Sequence, residues 1–155
     1  SSALHRAHFR TSRIENPGVQ YTTPAGEKLH ALSAQKEDKL AIQRFETGAR
    51  LSKVVVHGDT VYLAGLTADK TAGQSVGAQT EEILAAIDGL LAKAGTDKSK
   101  LVQATIWLQD IRTADEMNKV WDDWMPQGCA PARACIEARL QSRGKMVEIR
   151  VTAAK

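Results

Sequence analysis

The run Pro131-Ala132-Arg133-Ala134-Cys135-Ile136-Glu137, continuing through Ala138-Arg139-Leu140, reads as a β-strand with chemistry on one side. Side chains alternate between faces along a strand. Ala132, Ala134, Ile136, Ala138 and Leu140 make an apolar face, expected to meet helices. Arg133, Cys135, Glu137 and Arg139 make the other. The final strand, Lys145–Ala153, has Val147, Ile149 and Val151 on one face and Met146, Glu148, Arg150 and Thr152 on the other. Antiparallel pairing of the two strands through a tight turn near Gln141-Ser142 would set Ile136 against Val147 and Cys135 against Glu148. Arg133 would then lie diagonal to Glu148, roughly 7–8 Å away and within reach of long side chains.

An arginine and a glutamate so placed suit a small anionic ligand. A guanidinium offers paired donors that match a carboxylate. A nearby carboxylate can position or activate a water. The alternative is a solvated polar face with an Arg–Glu ion pair, which stabilises little, and Cys135 as a small filler. The other cysteine, Cys129, forms no CxxC pair with it, and no His cluster accompanies them, so neither a zinc site nor a disulfide framework is expected. Both are expected to remain thiols in a reducing compartment.

The elements that must hold this face are legible upstream. Ser52–His57 is a β-branched run, Gly58-Asp59 a turn, and Thr60–Ala64 a second strand, together a hairpin. Gly65 follows, where a close backbone approach is expected. Val76, Thr80, Ile83, Leu84, Ile87, Leu90, Leu91 and Ala94 recur at helical spacing, and Gly95 stands where a helix C-cap belongs. Leu101–Leu108 is a strand. Thr113 and Glu116 form a T-x-x-E capping box opening a second helix, with Met117, Val120, Trp121 and Trp124 on its apolar face. Pro126 and Gly128 end it. The order β-β-α-β-α-β-β predicts an α+β single domain with both helices on one face of one sheet. The opposite face is left needing cover, which oligomerisation can supply.

The chain has 155 residues, enough for one domain of ordinary soluble composition, and no apolar run long enough to span a bilayer. Residues 1–50 carry 8 Lys/Arg against 5 Asp/Glu, whereas residues 51–155 carry 13 of each. The basicity therefore belongs to the N-terminal part, and a neutral core is poor support for a nucleic-acid-binding domain. Residues 1–14 hold Arg6, Arg10 and Arg13 and no acid, a bias shared by organellar transit segments and by solvated tails. Residues 15–40 read as a loop-rich extension, with a short helical turn at 36–42.

The motif Pro131–Glu137, followed by Val147-Glu148-Ile149, resembles the C-terminal signature of the RidA (YjgF) family, also called L-PSP endoribonucleases. The resemblance runs from about Leu51 to Ala153 and includes Tyr62-Leu63-Ala64-Gly65, Lys93-Ala94-Gly95 and Met117-Asn118-Lys119-Val120-Trp121. Met117–Trp124 looks closer to the YoaB-like branch. The resemblance implies a RidA-like domain over 51–155 preceded by an extension over 1–50. It also implies a chorismate-mutase-like fold assembled as a homotrimer with sites in the clefts between subunits.

The implied reaction is hydrolysis of small enamines and 2-imino acids to keto acids and ammonia, without metal or cofactor. Arg133 would grip the substrate carboxylate and Glu148 handle the attacking water. Cys135, Asn118 and Gly65 would line the pocket. Leu51 and Ala64 stand where the family's deaminases carry a tyrosine and a serine, which removes two hydrogen-bonding groups. A trimer that binds small carboxylates without turnover is therefore the alternative. An endoribonuclease is disfavoured by the neutral core and by His5, His8, His30 and His57 all preceding the site strand. The expected partners are a small 2-imino or 2-keto acid and further copies of the chain, not membrane or RNA. The expected compartment is mitochondrial or cytoplasmic.

Overall fold

A computed structural model describes residues 27–29, 31–33, 36 and 40–155. The Arg-rich segment 1–14 and most of the loop-rich extension lie outside the described residues. Lys36 and Leu40 are helical within the expected turn at 36–42. The unit that carries the sheet is Lys36–Lys155.

The fold is α+β. The expected hairpin is present as β2 (Ser52–His57) and β3 (Thr60–Leu63), with Gly58 at φ 60° in the turn. That positive φ is one glycine adopts without a Cβ penalty. A strand inside the segment read as extension, β1 (Gln43–Thr47), pairs antiparallel with β2. The sheet therefore begins before residue 51. β4 is the short Leu66–Thr67, β5 is Leu101–Leu108, β6 is Ala132–Glu137 and β7 is Val147–Ala154. Strand order is β1-β2-β3-β7-β5-β6, with β4 also paired to β7.

Helix α1 (Val76–Lys93) is opened by Ser75, whose hydroxyl accepts from Ala78 N at 3.2 Å, and is followed by Gly95 at φ 78°. Its stripe of Val76, Thr80, Ile83, Leu84, Ile87, Leu90 and Leu91 is buried, as its spacing predicts. The stripe packs on Val54, Val56, Val61, Ile106, Leu108, Val147, Ile149 and Val151 from the sheet. Full burial of such a side chain contributes roughly 1.5–3 kcal/mol, so this layer holds the fold together.

Helix α2 (Ala114–Trp124) buries Met117 and Trp121 on the same side. Its expected capping box does not form. Thr113 donates from its hydroxyl to Asp110 O at 2.7 Å, and Glu116 instead accepts from Gly77 N of α1 at 2.7 Å. One helix thus caps the other.

Pairing of the last two strands differs from the expected hairpin. β7 inserts between β3 and β5, while β6 lies outside β5 and runs parallel to it, joined by the α2 crossover. A parallel neighbour needs such a crossover rather than a tight turn. The consequence is a change of face. Cys135 is in register with Ile106 and Glu148 with Trp107. Ile106 and Trp107 are consecutive, so they point to opposite faces. Arg133, Cys135 and Glu137 therefore share the helix side, next to buried Ala104, Ile106 and Leu108. Ala132, Ala134 and Ile136, expected to meet the helices, face the open side, where Ile136 is 48% exposed.

Candidate functional site

The residues singled out by sequence fall into two groups. The first lies on the helix side of the sheet edge. Arg133 on β6 donates from Nη2 to Asn118 Oδ1 of α2 at 2.8 Å. Its guanidinium carbon lies 5.2 Å from the centroid of the Trp121 ring. Asn118 and Trp121 are three residues apart on one helix, hence on one face. A cation over an indole gains about 0.5–1 kcal/mol at an exposed site. Among the described residues no carboxylate pairs with Arg133. The guanidinium is thus positioned by neutral groups and has no carboxylate counterpart among the described residues, an arrangement that can receive an anion.

Cys135 lies two residues along the same face and is half-buried. Burial pushes its thiol pKa up, against a smaller downward pull from the Arg133 charge. A thiol so placed is held protonated, which disfavours it as a nucleophile. Glu137, on the same face, accepts from Ile111 N at 3.0 Å and secures the turn before α2.

The second group lies on the open side. Glu148 sits on β7 between Thr67 of β4 and Trp107 of β5. Its carboxylate occupies space that only a glycine leaves free: a Cβ at Gly65 would stand 2.0 Å from Glu148 Oε1. Leu51, Ala64, Gly65 and Glu148, four of the residues named from sequence, line one cavity of about 240 Å³. Thr67, Gln141, Ser142 and Lys145 complete the lining. The Lys145 ammonium contacts Ala68 O and the Asp69 carboxylate.

Arg133, Asn118 and Cys135 are therefore brought together, as are Leu51, Ala64, Gly65 and Glu148, but the two groups occupy opposite faces of one chain. Sequence reading missed Trp121 as the support of Arg133, although its spacing from Asn118 was a usable signal. Thr67 and Lys145 carried none, because β4 is two residues long and the approach to β7 is a loop.

The family model for endoribonuclease L-PSP matches residues 41–155. RutC family protein YoaB of Escherichia coli is 39% identical over 115 residues, 74% of this chain and 99% of that one. The 2-iminobutanoate/2-iminopropanoate deaminase of Bos taurus is 32% identical over 107 residues, 66% of this chain and 77% of that one. The crystal structure of NMB1025, a YjgF family member from Neisseria meningitidis, superposes with TM-score 0.69 at 40% identity, covering 76% of this chain and 97% of that one.

Proposed function

The chain belongs to the endoribonuclease L-PSP family, also known as YjgF or RidA, on its YoaB-like side, and we propose that it hydrolyses small 2-imino acids and their enamine tautomers to 2-keto acids and ammonia. The observation that carries this reading is the Arg133 guanidinium, exposed, held by Asn118 and Trp121, and paired with no carboxylate among the described residues. Support also comes from the bovine relative, whose name describes an imine deaminase.

In the proposed reaction the substrate carboxylate pairs with Arg133. Glu148 accepts a proton from water as the water oxygen bonds to C2 of the iminium. Glu148 returns that proton to the nitrogen of the resulting carbinolamine. The C–N bond then breaks as Glu148 takes the hydroxyl proton, so the C2 oxygen becomes the keto group, and the departing ammonia picks that proton up as ammonium. No electrons are exchanged. Because Arg133 and Glu148 face opposite sides of one sheet, the reaction requires Arg133 of one copy to meet Glu148 of another. A homotrimer with shared clefts satisfies this. It would also cover the open face, where Tyr62 is 46% and Ile136 is 48% exposed.

A second reading has its own observation. Leu51 and Ala64 present hydrocarbon to the Glu148 cavity, so a water there has fewer partners to orient it. On that reading the cleft holds a small carboxylate without turning it over.

The discriminating experiment is ammonia release from 2-imino acids generated in situ by an amino-acid oxidase. Wild type should accelerate release over buffer, and Arg133→Ala should remove the acceleration. No acceleration by wild type, with 2-oxobutyrate still binding in calorimetry, would select the binding protein.

A further inference from the structure

One cavity is lined by none of the site residues named above. It is a groove of about 480 Å³ between α1 and α2, on the solvent side of the helix layer. Leu84 and Ala85 of α1 and Val120 and Trp124 of α2 supply its apolar floor. Its banks carry carboxylates at a regular interval: Glu81 and Asp88 on α1, Glu116 and Asp123 on α2. Each pair is seven residues apart, two helical turns or about 10.5 Å. Lys119 is the cation that lines the groove.

Two of these carboxylates are already engaged. Glu116 accepts from Gly77 N at 2.7 Å, and Asp88 accepts from Trp124 Nε1 at 2.9 Å with Lys98 at 3.7 Å. Glu81 and Asp123, one on each bank, are exposed and have no hydrogen-bond or ion-pair partner among the described residues. The helices as a whole are acidic: α1 carries Glu81, Glu82 and Asp88 against Lys93, and α2 carries Asp115, Glu116, Asp122 and Asp123 against Lys119.

We propose that this groove is a docking surface for a basic amphipathic helix of a partner protein, two to three turns long. Heptad-spaced carboxylates flanking an apolar seam are one half of a coiled-coil arrangement, whose complement is apolar residues at helical spacing flanked by Lys or Arg seven apart. Apolar side chains of the partner would lie on Leu84, Val120 and Trp124, and its cations beside Glu81 and Asp123. A second copy of this face does not fit, because it would set carboxylates against carboxylates. Phosphate-bearing surfaces are repelled for the same reason.

The test is fluorescence anisotropy of a labelled synthetic helix with Leu at i, i+3, i+4 and i+7 flanked by Lys, titrated with the full chain. Saturable binding is expected, weakening as salt is raised. Glu81→Lys with Asp123→Lys should weaken it at least tenfold. Asp115→Lys with Asp122→Lys changes charge equally outside the groove and should leave it within twofold. Neither pair touches Arg133 or Glu148, so ammonia release should be unchanged in both. Absence of saturable binding, or equal weakening by the two pairs, would overturn the proposal.

Discussion

Arg133 and Glu148 project from opposite faces of the same sheet. The register fixes this, since Arg133 aligns with Ala104 and Glu148 with Trp107, three residues apart on β5 and therefore on opposite sides. Neither side chain can cross the sheet to the other. Chemistry that uses both groups on one small substrate must draw them from different copies.

That requirement gives a complementation test. Arg133→Ala and Glu148→Gln should each be inactive alone. Co-refolded in equal amounts into a ring of three with shared sites, they should regain about a quarter of wild-type ammonia release, because that share of sites pairs two intact groups. Zero recovery, with assembly confirmed by light scattering, would show that the site is not shared.

Gly65 offers a change confined to the Glu148 side. A Cβ there would fall 2.0 Å from Glu148 Oε1 but 3.3 Å from its Cγ, so the flexible end of the side chain must move while the backbone stays. Gly65→Ala should lower kcat at least tenfold, with little change in melting temperature. On the proposed reading Arg133 provides the affinity for 2-oxobutyrate, which should therefore fall much less. A variant with unchanged kcat would remove Glu148 from the proposed reaction.

Local patterns were readable in the sequence, and non-local ones were not. The α1 stripe, the hairpin turn at Gly58 and the β5 limits follow from periodicity within a few residues. Which strand lies beside β7 depends on contacts between distant segments, so the short turn at Gln141-Ser142 suggested a hairpin that does not form. The apolar face of β6 was misassigned for the same reason: alternation separates two faces but cannot say which one the helices cover. Glu116 misled similarly, since its partner Gly77 is 39 residues away. Arg133, Asn118 and Cys135 on one side, and Leu51, Ala64, Gly65 and Glu148 on the other, could nonetheless be named, because resemblance carries non-local information that alternation lacks.

Gln79 is a polar residue no pattern flagged, and it is fully buried. Its amide nitrogen donates to Gln74 O at 3.0 Å and Gly144 O at 2.9 Å, and its oxygen accepts from Met146 N at 3.0 Å. It therefore ties the start of α1 to the loop that enters β7 and carries Lys145 into the Glu148 cavity. Gln79→Leu should destabilise by about 3 kcal/mol, since three bonds go and buried backbone groups lose partners. Chemical denaturation measures this. A loss below about 1 kcal/mol would mean that water replaces the amide.

Glu82 does for the loop before α1 what Gln79 does for the loop before β7. Its carboxylate accepts from the backbone N–H of Asp69, Lys70 and Thr71 at 2.9, 3.0 and 2.8 Å and from the Thr71 hydroxyl at 2.7 Å. The Lys70 N–H and then the Thr71 hydroxyl do most to bring its pKa from 4.5 down to about 2. A group whose folded pKa is lowered adds stability above its unfolded value and loses it as pH falls toward the folded one. The contribution of Glu82 is thus complete at neutral pH and fades from about pH 4.5 to about pH 2. Glu82→Gln should melt lower than wild type at pH 7, and the gap should narrow on acidification through that window. Melting curves that stay parallel down to pH 2 would mean that the loop is held by other contacts, among them the Lys145 ammonium on Ala68 O and Asp69.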